Sequence, residues 1–151
     1  MLDLAFLKLS SICYVTEELD RVREAMYNSL PKQYRKIKMT AQKMTSQFND
    51  KITFYSLELK GKDAGIGLAY ISSLLSDDDK NTLNMNLPDR IDLAGHAVHF
   101  RLDKFRAFEK TIQLGNGSDV IKIEIKYFCY TKDQNTMENV ITTLRQYGMG
   151  S

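Results

Sequence analysis

The chain has 151 residues, 43% of them hydrophobic, and a formal net charge of +2. That length suits one domain with enough apolar material for a core without disulfide or metal staples, and its longest apolar run is far too short to span a membrane. Nearly balanced charge neither demands nor excludes nucleic acid, so its distribution says more than its sum: Pro31 to Lys51 holds six Lys or Arg against one Asp, whereas Ser76 to Asp79 is acidic.

Met1 to Lys8 shows no basic leader and no small-residue cleavage site, so a cytoplasmic protein is expected. Ala5 to Val15 predicts a strand, with Leu7, Leu9, Cys13 and Val15 on one parity and Lys8 and Ser10 on the other. Thr16 is expected to cap a helix with Glu17 and Glu18 in its first turn. The stripe of that helix is Leu19, Val22, Met26 and Leu30, and Pro31 stops it. Lys36 to about Lys43 predicts a second strand, with Ile37, Met39 and Ala41 inward and Lys36, Lys38, Thr40 and Gln42 outward. A turn over Thr45 to Asp50 leads to a third strand, Ile52 to Lys60, rich in β-branched and aromatic residues.

Asp63 is expected to cap a second helix with the stripe Ala64, Leu68, Ile71 and Leu75. Ser76-Asp-Asp-Asp-Lys opens a third, which Pro88 is expected to end. Ala97 to Leu102 predicts a strand with Val98, Phe100 and Leu102 inward, and Asp103 caps a short helix to about Glu109. Lys110 to Tyr127 then reads as a β-hairpin about Gly115-Asn-Gly117, the strongest local hairpin signal in the chain. Beyond the turn Ile121, Ile123, Ile125 and Tyr127 share one face, and Lys122, Glu124 and Lys126 the other. A last helix, Thr136 to Tyr147, presents Met137, Val140, Ile141 and Leu144. The order β-α-β-β-α-α-β-α-β-β-α, with short connections and single-striped helices, predicts an α+β fold. Its expected form is one mostly antiparallel sheet with helices packed on one face. Residues 1–147 form the single expected domain, and 148–151 a frayed, vector-like tail.

Little reaction chemistry is visible. Lys60-Gly-Lys-Asp-Ala-Gly-Ile-Gly67 lacks the Gly-Lys-Ser/Thr ending of a phosphate loop and the third glycine of a dinucleotide fingerprint. Two glycines there are better explained by close approach of the helix to the sheet or a neighbour. Asp77, Asp78 and Asp79 suit a helix N-terminus better than a metal cluster. His96 and His99 fall on opposite faces of a strand. Cys13 and Cys129 read as two reduced core thiols, although the parity of their strands leaves a bridge possible if those strands are neighbours. No metal, cofactor or catalytic group is expected. The basic strip is left: Lys32, Arg35, Lys36, Lys38 and Lys43, joined by Lys122 and Lys126, with Tyr34, Phe48 or Phe54 available for stacking.

The run His99-Phe-Arg-Leu-Asp-Lys-Phe-Arg-Ala-Phe108, followed by Leu114-Gly-Asn-Gly-Ser-Asp-Val-Ile-Lys-Ile-Glu-Ile-Lys126, resembles an archaeal family described as a predicted exosome subunit or RNA-binding protein. Cys13-Tyr-Val-Thr-Glu-Glu18 and Leu75-Ser-Asp-Asp-Asp-Lys80 agree with it, so the similarity spans about Phe6 to Lys126. The chain departs from the family pattern at Phe105, Arg106 and Lys110, and at the turn Gln47-Phe-Asn-Asp50. The resemblance implies a fold like that of the large-subunit ribosomal protein that binds the smallest ribosomal RNA, and an association with RNA processing. Together these readings predict a non-catalytic RNA-binding protein, an accessory to an archaeal exosome or other RNA-processing complex. Its expected phosphate contacts are Lys36, Lys38, Lys43, Arg101, Lys104, Arg106, Lys122 and Lys126. Two alternatives stand beside it. A protein-interaction or homodimerisation module would use a sheet edge or the last helix, and an enzyme would need a deep pocket with convergent polar groups.

Overall fold

A computed structural model describes residues 2–149. Its strands are β1 (Leu4–Cys13), β2 (Thr40–Thr45), β3 (Lys51–Lys60), β4 (Ile91–Asp92), β5 (Ala97–Asp103) and β6 (Val120–Tyr127). Its α-helices are α1 (Leu19–Asn28), α2 (Lys62–Leu74), α3 (Asp77–Arg90), α4 (Lys104–Phe108) and α5 (Met137–Gln146). The strands make one sheet in the order β2-β3-β1-β6-β5-β4, with every neighbouring pair antiparallel. This is the α+β class, with one antiparallel sheet and five helices, that the periodicity predicts; the short β4 ahead of β5 stands in place of the first strand of the expected hairpin.

The alternation that makes the strands also sets the layers. Leu7 lies beside Leu59 and Ile125, Leu9 beside Leu57 and Ile123, and the rows continue to Val98 and Phe100 on β5. All of these are buried. Over them lie Val22 and Met26 of α1, Leu68 and Ile71 of α2, Leu83 and Leu87 of α3, and Val140 and Leu144 of α5, in one core. Each such fully buried side chain contributes about 1.5–3 kcal/mol of transfer free energy, so the sheet cannot turn its other face inward. Gly67 lets α2 settle on that core: a Cβ there would lie 2.7 Å from Leu59 and 2.9 Å from Leu7. This is the close approach expected of the glycine pair.

Several local expectations change. α1 begins at Leu19 with Glu18 in the capping position, and neither Thr16 nor Glu18 caps it by a side-chain bond. Lys32–Tyr34 form a 3-10 turn, and β2 starts only at Thr40 with all six residues exposed, Ala41 included. Ile37 and Met39 still pack against the core ahead of it. Gly61, not Asp63, holds the capping position of α2, and the Asp63 carboxylate accepts from the Tyr34 hydroxyl (2.9 Å). α3 runs through Pro88 to Arg90, because a proline in the last turn frees only the carbonyl of exposed Asn84.

The expected hairpin is rerouted. Leu114 bridges Leu102, Asp103 N–H donates to Gln113 O (2.8 Å), and Gly115 N–H donates to Arg101 O (3.0 Å). Residues 113–115 therefore lie along the outer edge of β5, not beside β6, and 116–119 cross the end of β5. Gly115 permits this, since a Cβ would come within 2.7–2.9 Å of the backbone of Leu102 and Asp103.

Gly148 and Met149, expected to fray, close α5 instead. Gly148 has φ +88°, its N–H bonds Arg145 O, and Met149 N–H bonds Leu144 O, a Schellman ending that buries Met149. Gly150 and Ser151 lie outside the described residues. Cys13 and Cys129 sit at opposite ends of the antiparallel β1–β6 pair, roughly 30 Å apart at strand rise. Both are free thiols.

Candidate nucleic-acid interface

The face of the sheet away from the helices carries the polar parity of each strand. Register places Asp92, Ala97, Lys126, Phe6 and Lys60 in one row across it. The next row is His99, Glu124, Lys8 and Glu58, and the third is Arg101, Lys122, Ser10, Ser56 and Thr40. The middle row is largely self-compensating, with His99 Nδ1 3.9 Å from Glu124 and Lys8 between two glutamates. The third row is not. Arg101 and Lys122 are directly opposed like charges, an arrangement that destabilises a sheet unless an anion intervenes. Neither has a carboxylate within ion-pair distance among the described residues, and Arg101 Nη1 reaches only the Gly117 carbonyl, at 3.5 Å.

The eight expected contacts thus separate. Arg101 and Lys122 come together; Lys126 is exposed on the same face four residues along β6. Lys38 lines a shallow depression with Lys8, Lys60 and Glu58 near the β2 edge. Lys36 is exposed in the segment ahead of β2. Lys43 lies beside Thr53, in the row that continues to Cys13, on the helix side of the sheet. Arg106 sits on α4, 3.7 Å from Glu109.

Lys104 is not a surface cation at all. Its ammonium is buried, donating to Glu17 Oε1 (2.7 Å), Glu17 Oε2 (2.9 Å) and Ile12 O (2.8 Å), with the Tyr14 ring 5.1 Å away. Glu17 also accepts from Tyr14 N–H (3.1 Å), which explains why it does not open α1. The pair pins the β1–α1 turn to the start of α4. It also touches Cys13, whose thiol pKa is raised by burial first and by the Glu17 carboxylate second, with Lys104 opposing.

Around Arg101 and Lys122 the surface is concave. On one side they share a depression of about 490 Å³ with Arg90, His99, Asn116, Asp89 and Asp92. Arg90 Nε is buried there without a hydrogen-bond partner among the described residues. Sequence reasoning missed Arg90 because it ended the helix at Pro88, although the spacing Leu83, Leu87, Ile91 carried the signal onward. On the other side the same two cations line a groove of about 240 Å³ with Ser10, Phe54, Tyr14 and Ser118. Tyr14 and Ser118 also line a cleft of about 590 Å³ that contains Phe48, Phe105, Val15 and Ile52. Of the three aromatics expected to stack, Phe48 and Phe54 are in this chain of hollows, while Tyr34 is buried. Among the described residues no His, Cys, Asp and Glu gather as a metal site, and no helix is long and apolar enough to cross a membrane.

A family model described as RNA binding matches residues 7–127. An uncharacterized protein of Methanocaldococcus jannaschii is 25% identical over 143 residues, covering 91% of this chain and 96% of that one. A solved structure from Archaeoglobus fulgidus is similar with a TM-score of 0.80 at 21% identity, covering 95% of this chain and 99% of the other. One from Methanothermobacter thermautotrophicus has a TM-score of 0.74 at 20% identity, covering 96% and 98%. At these identities the structural likeness establishes the fold alone.

Proposed function

We propose, from the premise that the chain belongs to the family described as RNA binding, that it is a non-catalytic RNA-binding protein holding phosphates on Arg101 and Lys122. The observation that carries this is their direct opposition on an open sheet face, without a carboxylate partner among the described residues and with Arg90 lining the same depression. A phosphate between them would relieve the repulsion and release counterions from the RNA. Within the archaeal relatives' setting, the role is that of a cytoplasmic accessory to an exosome or similar RNA-processing complex. Titration of a labelled structured RNA at two salt concentrations tests binding. With three phosphates neutralised, a fourfold rise in salt lowers affinity roughly 40-fold; absence of binding at low salt ends the proposal.

A second reading, association of two copies through sheet edges, is favoured by β2. It is an edge strand with every side chain exposed, and Lys43 is its only charge, which leaves it poorly protected against pairing. A mass that rises with protein concentration and ignores added RNA would support that reading.

A further inference from the structure

We infer that the cleft between the 46–50 turn and α4 receives one unpaired RNA base, stacked on Phe48 and Phe105, from a strand whose phosphate rests on Arg101 and Lys122. This deepens the RNA reading and rests on it. Phe48 is 77% and Phe105 60% exposed, a large apolar exposure that the core does not require. The two rings line one cleft, whose volume of about 590 Å³ falls in the range of small-ligand sites.

The charge pattern around the cleft selects the occupant. Its carboxylates, Asp50 and Asp119, have no cation partner among the described residues, and Glu17 is already held by Lys104. Negative groups repel a phosphate but accept hydrogen bonds from the amino groups of a base edge. The cations lie next door, in the groove that shares Tyr14 and Ser118 with the cleft. A nucleotide laid across this boundary therefore has its base on the aromatic, acidic side and its phosphate on the basic side. Bases within a duplex are stacked on one another and cannot enter, so the ligand class is a single-stranded tail or loop.

The test compares a short blunt RNA duplex with the same duplex bearing an unpaired tail, against wild type, Phe48→Ser and Phe105→Ser. Both substitutions are at exposed rings, and circular dichroism checks that the fold is kept. The wild type should bind the tailed RNA roughly tenfold or more tightly than the blunt one. Each serine variant should lose most of that advantage while its affinity for the blunt duplex stays unchanged. Equal binding of tailed and blunt RNA by wild type, or an advantage that survives both variants, overturns the base cleft and leaves phosphate binding standing. Failure of both RNAs to bind at low salt removes the RNA reading itself, and the cleft with it.

Discussion

Lys104 and Glu17 show how a residue that looks like a ligand contact can be part of the frame. The lysine side chain is 4% exposed and the glutamate 15%, with 2.7 Å between the charged atoms. Breaking one half of such a pair leaves the other charge buried and uncompensated, which costs about 3–5 kcal/mol. Glu17→Ala and Lys104→Ala should each lower unfolding free energy by that amount in urea titration, while the double variant loses much less than the sum. Additive losses would mean the two charges are not coupled. The titratable groups of the interior make a second expectation. Burial is the first cause raising the pKa of Cys13 and of the Tyr34, Tyr55 and Tyr127 phenols. Between the unfolded and folded pKa values the folded state holds more protons, so stability is full below the ordinary thiol range and falls as pH rises through it. Thermal midpoints should decline from about pH 8.5 upward, the ordinary thiol pKa, and more steeply near the phenol value of about 10. A midpoint flat to pH 11 would contradict that assignment.

Elements whose faces differ were legible in the sequence, and elements defined by a distant partner were not. β1, β3, β5 and β6 alternate because one side meets a helix layer, and α1 and α5 carry stripes for the same reason. β2 gives no such signal, since both its faces are wet and the apolar residues read as its inner side, Ile37 and Met39, belong to the preceding segment. The start of α1 was misplaced because Glu17 serves Lys104, a residue far along the chain. A Gly-Asn-Gly turn announces a reversal but not which strand the chain pairs with after it, so the placement of 113–115 against β5 was invisible locally. That placement hangs on Gly115. Gly115→Ala would press a Cβ into the β5 backbone, and destabilisation of about 1–3 kcal/mol is expected, read as a lower denaturant midpoint with an unchanged slope. Wild-type stability in that variant would show that the segment shifts freely.

For the molecule as a whole, the expected single positive surface resolves into smaller ones. Arg90, Arg101 and Lys122 form one focus and Lys8, Lys38 and Lys60 another, with Glu58 and Glu124 set among them. The candidate site was thus half legible: alternation put Arg101 and Lys122 outward, but only the strand order brought them face to face. Lys43 has the opposite parity to Lys38 and Thr40 and so lies on the other side, and Glu17 of the β1–α1 turn gives Lys104 a buried partner. A binding surface defined this way makes a positional demand that net charge does not. The most direct measurement compares RNA affinity and its salt dependence for Arg101→Gln/Lys122→Gln and for Lys43→Gln against wild type. The account predicts that the double variant binds about tenfold or more weakly at low salt, with the slope of log affinity against log salt reduced by about 2, while Lys43→Gln matches wild type. Equal effects of the two substitutions, or none from the double variant, would contradict it.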